Sequence, residues 1–264
     1  EIYTLSLHDA LPIYELRNRR RQSKMRMKKS VIPDLLDWKK EEKTMSKRIW
    51  DWYAPIYEIF MPMDEKVFPE MYARLPEVIR GKNVLEIATG PGTLAKRIAP
   101  AAGKFIATDY SEGMIKTARK GEYAPNLTFE IADATELPYR EGEFDVVMIA
   151  NALHVMPDPV SALKEIDRVL KPGGILIAPN FIHSGVGGKP RIWTGLLKLF
   201  GIRFERQWTA ETYPAFLAEN GWQVVRSEVM PARVTMMYTE CVRAKEAGAS
   251  AAENQSETGK AEHA

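Results

Sequence analysis

The stretch Asn83–Ala95 reads NVLEIATGPGTLA and joins a short apolar run to a glycine-rich turn and the start of a helix. The apolar run is typical of a buried strand. Gly90 and Gly92 carry no Cβ, so the backbone can turn sharply there and a ligand can approach the peptide planes. The turn predicts the binding site of a nucleotide-type cofactor; the alternative is a strand-to-helix turn that needs glycine only for its own geometry.

Two classes of cofactor fit this turn. In one frame, Gly90–Ala95 satisfies the dinucleotide pattern G-x-G-x-x-G/A, in which a pyrophosphate lies at a helix N-terminus. In the other frame, Glu86-x-Ala88-x-Gly90-x-Gly92 resembles the first motif of the class I S-adenosylmethionine (SAM)-dependent methyltransferases, an acidic residue followed by G-x-G-x-G. Ala88 replaces the first glycine of that motif, which we expect to cost little as long as its φ stays negative.

The next two predicted strands lead into acidic residues. Lys104–Asp109 reads as a short buried strand, and Ser111 is well placed to be the N-cap of a helix that starts near Glu112. Both cofactor classes place an acid at the position of Asp109 to accept hydrogen bonds from the two ribose hydroxyls, so this acid does not discriminate between them. Asp133 follows a third strand, Leu127 onward. In the methyltransferases the corresponding acid accepts from the adenine amino group while the next backbone N–H meets the ring, a requirement that dinucleotide enzymes lack.

The rest of the chain predicts further elements of an α/β domain. In order, they are an apolar strand that starts at Phe144, a helix over Ser161–Leu170 closed by Leu170–Gly174, a fifth strand over Ile175–Ala178, and two strands over Trp222–Val229 and Val234–Val242. The last two strands fit an antiparallel pair, whereas a dinucleotide fold would continue with parallel crossovers.

From about Met45 to Arg243 the chain resembles the class I methyltransferases of the methyltransferase type 11 group, which includes ubiquinone/menaquinone-type enzymes. The resemblance is strong in the cofactor half and weak in the substrate half. It implies a three-layer, Rossmann-like α/β fold, with a seven-stranded, mostly parallel sheet and a C-terminal antiparallel β-hairpin. It also implies SAM as cofactor, S-adenosylhomocysteine (SAH) as product, and a small acceptor methylated at O, N or C. The cofactor-binding residues that it implies are Tyr53, Tyr57, Glu86, Ala88, Thr89, Gly90, Gly92, Asp109, Tyr110, Asp133, Ala134 and Asn151.

The segment from Met45 to Leu75 has a helical pattern with many aromatic residues. In related methyltransferases a helix here lies over the cofactor, and a tyrosine can reach the methionine carboxylate. Tyr53 and Tyr57 are one helical turn apart, so both can face the pocket. The alternative is that these rings pack the segment onto the domain.

Methyl transfer is an in-line displacement at a sulfonium carbon, so the enzyme supplies alignment, a dry pocket and, for some acceptors, a base. Asn151 and His154 follow the fourth strand at its carboxyl end, where ligands bind in such sheets, and both are candidate catalytic residues. His154 can act as a general base with a pKa near neutral, or it can equally hold the loop Pro157–Pro159. The Pro-Pro-aromatic sequence of adenine and glutamine N-methyltransferases does not follow Asn151.

The segment after the fifth strand, Asn180 to Phe204, is expected to select the acceptor. A glycine-rich run, His183–Pro190, precedes an apolar helix, Ile192–Phe200, that suits a lid over a lipid, a quinone or an aromatic metabolite. The alternative is an ordinary outer helix that covers the sheet. Two rival functions stay open: a SAM-binding protein without catalysis, and an NAD(P)-dependent oxidoreductase.

Composition limits the function classes. The chain has 264 residues, 45% of them hydrophobic, and no apolar run near the ~20 residues of a membrane span, so we expect a soluble protein with at most peripheral membrane contact. Residues 45–243 hold 24 basic and 24 acidic side chains, which argues against a nucleic-acid substrate. The single cysteine, Cys241, favours a packing role and a reducing, cytoplasmic setting. No cluster of metal ligands is predicted.

The two ends of the chain are expected to lie outside this domain. Residues 1–13 resemble the translated read-through of a sequencing adapter and are excluded from fold reasoning. Residues 14–44 form a basic extension that we expect to be poorly ordered, with Met25, Met27 or Met45 as the start of the protein. Residues 244–264 lack a hydrophobic period and are expected to be a disordered tail.

Overall fold

The computed structural model describes Lys47, Trp50, Asp51 and Ala54 and the ranges 69–183, 206–231 and 235–244. These ranges hold most of the domain predicted for residues 45–243. The expectations for residues 1–44, for Tyr53 and Tyr57, for the lid at residues 184–204 and for the tail at residues 245–264 lie outside the described residues.

Strands and helices alternate from the start of the described domain, which is the pattern of a doubly wound α/β sheet. The first elements are α1 (Pro69–Val78), β1 (Asn83–Ile87), α2 (Thr93–Ile98), a 3₁₀ turn (Ala99–Ala101), β2 (Lys104–Asp109), α3 (Glu112–Ala118) and β3 (Leu127–Ile131). They are followed by β4 (Phe144–Ile149), α4 (Pro159–Val169), β5 (Leu170–Ile177), β6 (Asn180–Phe181), α5 (Thr212–Glu219), β7 (Trp222–Met230) and β8 (Met236–Arg243).

Within the described residues the strands form one sheet in the order β3-β2-β1-β4-β5-β8-β6, with β7 paired to β8. Strands β1 to β5 run parallel, and β8 runs antiparallel to β5, β6 and β7. Strand β6 continues β5, because the pairs Leu176↔Cys241 and Asn180↔Met237 keep a single register on β8. The mostly parallel, Rossmann-like sheet with antiparallel C-terminal strands is therefore confirmed.

Helices cover both faces of this sheet, because its central strands are apolar on both sides. Val84 and Leu85 are neighbours on β1 and belong to different cores, as the alternation of side chains along a strand requires. Leu85 packs in the core that contains Leu163 of α4 and Leu217 of α5. Val84 packs in the core that contains Leu75 of α1 and residues of α2 and α3. Each face thus has its own core, which gives the three predicted layers.

The strand order also determines where a ligand binds. Strand β1 lies in the middle, with β2 on one side and β4 on the other, so the chain winds away from β1 in both directions. Ligands of open parallel sheets bind at the carboxyl ends of the strands, beside such a reversal of strand order. Residues 88–92 follow β1, residues 110–111 follow β2, and residues 150–154 follow β4 at this edge.

The link between α4 and β5 differs from the prediction that Leu170–Gly174 only closes the helix and that the strand starts at Ile175. Strand β5 already begins at Leu170, which pairs with Phe144 on β4. The register then shifts, because the next pair joins Ile175 to Val146, so residues 171–174 bulge out of the ladder. Gly173 and Gly174, which were predicted to end the helix, therefore belong to the irregular first part of β5.

Gly92 shows why the turn after β1 needs glycine. This residue is the N-cap of α2 and has a φ of 79°. A Cβ here would lie 2.7 Å from the ring of Phe129 on β3 and 3.1 Å from the Cβ of Ala118 on α3. Glycine is thus required both by the left-handed backbone and by the close approach of neighbouring elements.

We expect Gly92→Ala to lower the free energy of unfolding by about 2–4 kcal/mol, because a strained positive φ is combined with overpacking against Phe129. Gly221→Ala is the matched control: Gly221 also has a positive φ, 86°, but no atom lies within 4 Å of its added Cβ. The control should lose only about 1 kcal/mol. Denaturant unfolding measures both losses, and equal values would show that the contact with Phe129 is unimportant.

Candidate functional site

Three alternate residues of the turn after β1 have positive φ: Ala88 at 56°, Gly90 at 59° and Gly92 at 79°. A negative φ at Ala88, the condition under which this replacement would cost little, is not met. The turn needs the left-handed conformation at all three glycine positions of the motif, and alanine adopts it at a cost of about 1–2 kcal/mol. The backbone path of the motif is therefore kept at the expense of local strain.

Asp109 connects the end of β2 to this turn. Its Oδ2 accepts a hydrogen bond from the backbone N–H of Gly90 at 2.9 Å, and its Oδ1 accepts one from the backbone N–H of Ser111 at 2.8 Å. Ser111 is also the N-cap of α3, as predicted, and accepts from the N–H of Met114. Burial raises the pKa of Asp109 to about 6, although these hydrogen bonds favour the carboxylate. The acid predicted to bind the ribose thus lies directly beside the glycine turn.

Glu86 lies on β1 with only 2% of its surface exposed. Its Oε2 accepts from the Thr89 hydroxyl at 2.7 Å, and its backbone oxygen accepts from the Thr108 hydroxyl at 3.0 Å. Burial raises the pKa of Glu86 to about 7, and the charge of Asp109 adds to the rise, whereas the hydrogen bond from Thr89 opposes it. Burial leaves the ionised form of this carboxyl poorly solvated. A cationic ligand group beside it would therefore stabilise the ionised form.

The loop after β3 is joined to the same edge. The backbone N–H of Ala132 donates to the carbonyl oxygen of Asp109 at 3.1 Å, which places Asp133 and Ala134 beside the end of β2. The Oδ1 of Asp133 accepts from both the N–H and the hydroxyl of Thr135, at 2.8 and 2.7 Å. The predicted adenine-binding acid is therefore held in one orientation by its own loop.

Helix α4 holds this loop from the other side. Glu165 accepts from the N–H of Leu137 at 2.8 Å, and Arg168 donates to the carbonyl oxygens of Leu137 and Tyr139 at 2.9 and 2.7 Å. The two side chains also form an ion pair, with 2.7 Å between Nη2 and Oε2. Sequence reasoning missed both residues, because an acid and a base at i and i+3 are common on any helix surface.

Described residues of the segment before α1 lie close to the cofactor edge. Lys47, Trp50 and Asp51 are helical. The Nζ of Lys47 lies over the ring of Tyr110, 5.7 Å from its centroid. A helical segment thus lies beside Tyr110, one of the residues predicted to bind the cofactor.

His154 follows β4, as predicted, but it does not have the near-neutral pKa that the role of a general base would require. The ring is buried, and its Nδ1 lies 2.9 Å from the Oδ1 of Asn180. The Nδ2 of Asn180 donates to the carbonyl oxygen of Phe181, which leaves the Oδ1 as an acceptor and assigns the proton to Nδ1 of His154. Burial lowers the pKa of His154 to about 4, although the bond to Asn180 opposes this, so the imidazole is neutral at pH 7.

Asn151 lies at the same end of β4 with a φ of 51°, a left-handed conformation that asparagine tolerates. Its backbone N–H donates to the carbonyl oxygen of Pro179 at 2.8 Å, and its Nδ2 lies 3.6 Å from the Sδ of Met236. These contacts tie the ends of β4 and β5 to the start of β8. Asn180, predicted only as the start of the acceptor segment, is the residue that orients His154, and no local sequence signal pairs residues 26 positions apart.

Cys241 is buried on β8 and pairs with both β5 and β7. Burial raises the pKa of its thiol to about 12, which agrees with the predicted packing role. In the described part of the chain, no group of three or more His, Cys, Asp or Glu side chains is arranged to hold a metal ion. Every helix in those same ranges is too short or too polar to cross a membrane.

Known proteins are similar to this chain in sequence over the part that carries these residues. A protein family described as a methyltransferase domain matches residues 85–178, from β1 to just past the end of β5. The demethylmenaquinone methyltransferase of Renibacterium salmoninarum is 36% identical over 119 residues, which is 45% of this chain and 49% of that enzyme. The chain spans about half the length of the curated relatives that it matches.

Solved structures have the same fold. A SAM-dependent methyltransferase from Aquifex aeolicus gives a TM-score of 0.55 at 20% identity, covering 71% of this chain and 97% of that one. The DhpI–SAH complex gives a TM-score of 0.58 at 22% identity, covering 76% of this chain and 96% of that one. The sheet order agrees with a Rossmann-like methyltransferase fold, and the family match over residues 85–178 supports the class I SAM-dependent methyltransferase that the motifs predicted. The same findings support SAM as the cofactor.

The positive φ of Ala88 can be tested by substitution. We expect Ala88→Gly to leave the free energy of unfolding unchanged or to raise it by up to about 1 kcal/mol, because relief of strain offsets the entropy that glycine adds to the unfolded chain. Ala73→Gly, on the exposed face of α1, is the matched control and should lose about 1 kcal/mol. If urea unfolding gives the two variants equal losses, Ala88 is not strained.

The raised pKa of Glu86 implies a dependence of stability on pH. Because the folded chain binds this proton more tightly than the unfolded chain, the stabilising effect is complete below the ordinary pKa of 4.5 and is lost as the pH rises to about 7. Between pH 5 and 8 we expect the ligand-free wild type to lose about 2–3 kcal/mol more than Glu86→Gln. Thermal unfolding across this pH range checks the expectation, and parallel curves for the two proteins would contradict it.

Proposed function

We propose that this protein is a methyltransferase that transfers the methyl group of SAM to a small, apolar acceptor of the quinone class. The observation that carries the cofactor part of the proposal is the antiparallel pairing of β8 with β5 and β7, because a dinucleotide fold would continue with parallel crossovers. At the site itself, Asp109 at the end of β2 accepts a hydrogen bond from the N–H of Gly90 in the turn after β1. The bond places an acid suited to ribose hydroxyls at a turn suited to close backbone approach.

In this proposal each cofactor group meets a residue of matching chemistry. Asp109 accepts from the ribose hydroxyls, and the glycine turn lets the cofactor approach the backbone. Glu86 supplies the negative charge that the cationic amino group of the methionine moiety favours. Asp133 and the N–H of Ala134 bind the adenine ring. The sulfonium supplies an electrophilic methyl group, so the protein mainly has to align the acceptor and exclude water.

Three observations favour an uncharged, apolar acceptor. His154 and Asn180, the buried polar pair beyond the ends of β4 and β5, are both uncharged at pH 7. The imidazole packs edge-on against Phe181, with 5.9 Å between ring centroids. The relatives that match the cofactor half include demethylmenaquinone methyltransferases, whose named substrate is a quinone. A wall of neutral and aromatic groups is compatible with such a ring.

His154 keeps a candidate role that differs from that of a base. With its proton on Nδ1 and a pKa of about 4, the imidazole is neutral at pH 7 and bonded to Asn180. We infer that this pair holds the ends of β4 and β5 in the arrangement that receives the acceptor, with Asn151 as a second polar group at the same strand end. In this role His154 contributes to the rate by helping to align the acceptor, and not by taking up a proton as a general base.

Calorimetric titration of the full chain with SAM and SAH tests the cofactor half. We expect the wild type to bind both ligands and Asp109→Asn to lose about tenfold or more in affinity, because the amide lacks a charge and directs an N–H group at one of its two donors. Asp145→Asn is the matched control, since Asp145 also accepts from a backbone N–H, that of Asn83, but at the opposite edge of the sheet. It should bind SAM like the wild type. A preference for NADH over SAM would contradict the proposal.

Transfer of labelled methyl groups tests the acceptor half. The acceptors are a demethylated menaquinol, a phosphatidylethanolamine vesicle and a polar amine, each incubated with methyl-labelled SAM and the full chain. We expect label in the quinol alone. Label in the lipid or the amine would overturn the quinone assignment, and SAM binding without turnover on any acceptor would identify a binding protein without catalysis.

A further inference from the structure

Asp51, on the helical segment before α1, makes contacts that the cofactor roles described above do not use. Its Oδ1 accepts from the hydroxyl of Ser111 at 2.6 Å and from the backbone N–H of Gly113 at 2.9 Å. The fit is close, because a Cβ added to Gly113 would lie only 2.8 Å from the carbonyl oxygen of Asp51. The segment therefore docks on the start of α3 through a specific and tightly packed contact.

Hydrogen bonds continue from this contact to the cofactor turn. Ser111 donates its hydroxyl proton to Asp51 and its backbone N–H to the Oδ1 of Asp109, the second bond measuring 2.8 Å. The Oδ2 of Asp109 in turn accepts from the N–H of Gly90. A residue 60 positions before Ser111 is thus connected to the glycine turn through two side chains.

We propose that Asp51 is a positioning residue for the cofactor: it holds Ser111, and through Ser111 it orients the Asp109 carboxylate toward the ribose. The proposal rests on the cofactor role proposed for Asp109. It goes further because it makes the affinity for SAM depend on one residue of the segment before α1. Packing of aromatic rings alone would not create that dependence.

The charges around Asp109 come from three elements. Asp51 and Lys47 lie on the segment before α1, Glu112 begins α3, and Glu86 lies on β1. Burial raises the pKa of Asp109, and the charge of Asp51 adds to the rise. Lys47 is paired with Glu112 at 2.6 Å, so its charge is already balanced there. Removing the charge of Asp51 should therefore lower the pKa of Asp109.

Two substitutions separate positioning from simple docking. In Asp51→Asn the amide oxygen can still accept from Ser111 and Gly113, while the negative charge is lost. In Asp51→Ala both bonds are lost as well. Glu122→Gln is the control, because it removes a negative charge from an exposed residue in the loop after α3.

The experiment is calorimetric titration of the full chain with SAM from pH 5 to 8, together with the melting temperature of each variant. At pH 7.5 we expect Asp51→Ala to weaken SAM binding about tenfold and Asp51→Asn to restore it to within about threefold of the wild type. In Asp51→Asn the pH midpoint of binding should move down by about half a unit or more, since Asp109 deprotonates at lower pH. Glu122→Gln should change neither quantity.

The outcomes that overturn this inference differ from those that overturn the proposed function. If Asp51→Ala binds SAM like the wild type while Asp109→Asn does not, Asp51 has no positioning role and the proposed function stands. If both Asp51 variants weaken binding equally, with no shift of the pH midpoint and with lower melting temperatures, Asp51 only docks the segment. If the wild type does not bind SAM, the proposed function itself fails.

Discussion

The hydrogen bond from the N–H of Gly90 to the Oδ2 of Asp109 is the contact on which the candidate site depends. It joins the turn after β1 to the end of β2, two parallel strands whose register sets Ile87 opposite Thr108. The same carboxylate also holds Ser111 at the start of α3, so one side chain organises the ends of two strands and a helix. The loop of Asp133 is added to this edge by the backbone bond between Ala132 and Asp109.

Two features of the cofactor half of the site lower the stability of the folded protein. Ala88 adopts a left-handed backbone that alanine disfavours, and Glu86 is a buried acid whose charged form is poorly solvated. Both features make sense at a ligand site, where a cationic ligand can stabilise a carboxylate that the empty fold disfavours. The strained turn and the two acids with raised pKa values lie at one edge of the sheet, and functional sites commonly concentrate such features.

The acceptor half has a different chemistry. Its described polar groups, His154 and Asn180, are uncharged, buried and bonded to each other. A charged cofactor half beside an uncharged acceptor half suits the transfer of a methyl group from a cation to an apolar molecule. The burial of this pair also lowers the pKa of the imidazole, which argues against His154 as a base and supports the positioning role proposed for it.

The sequence by itself determined the class of the fold, the glycine turn, the acids Asp109 and Asp133, and the antiparallel last strands. These features are readable because each depends on a local pattern, such as an apolar run, a glycine where the backbone turns, or an acid after a strand. Only the tertiary structure decided the positive φ of Ala88, the neutral state of His154, the bulge at residues 171–174 and the bonds made by Asp51. The last three depend on burial and on contacts between residues 26 to 62 positions apart, which no local pattern encodes. The φ of Ala88 is a backbone conformation that alanine by itself disfavours.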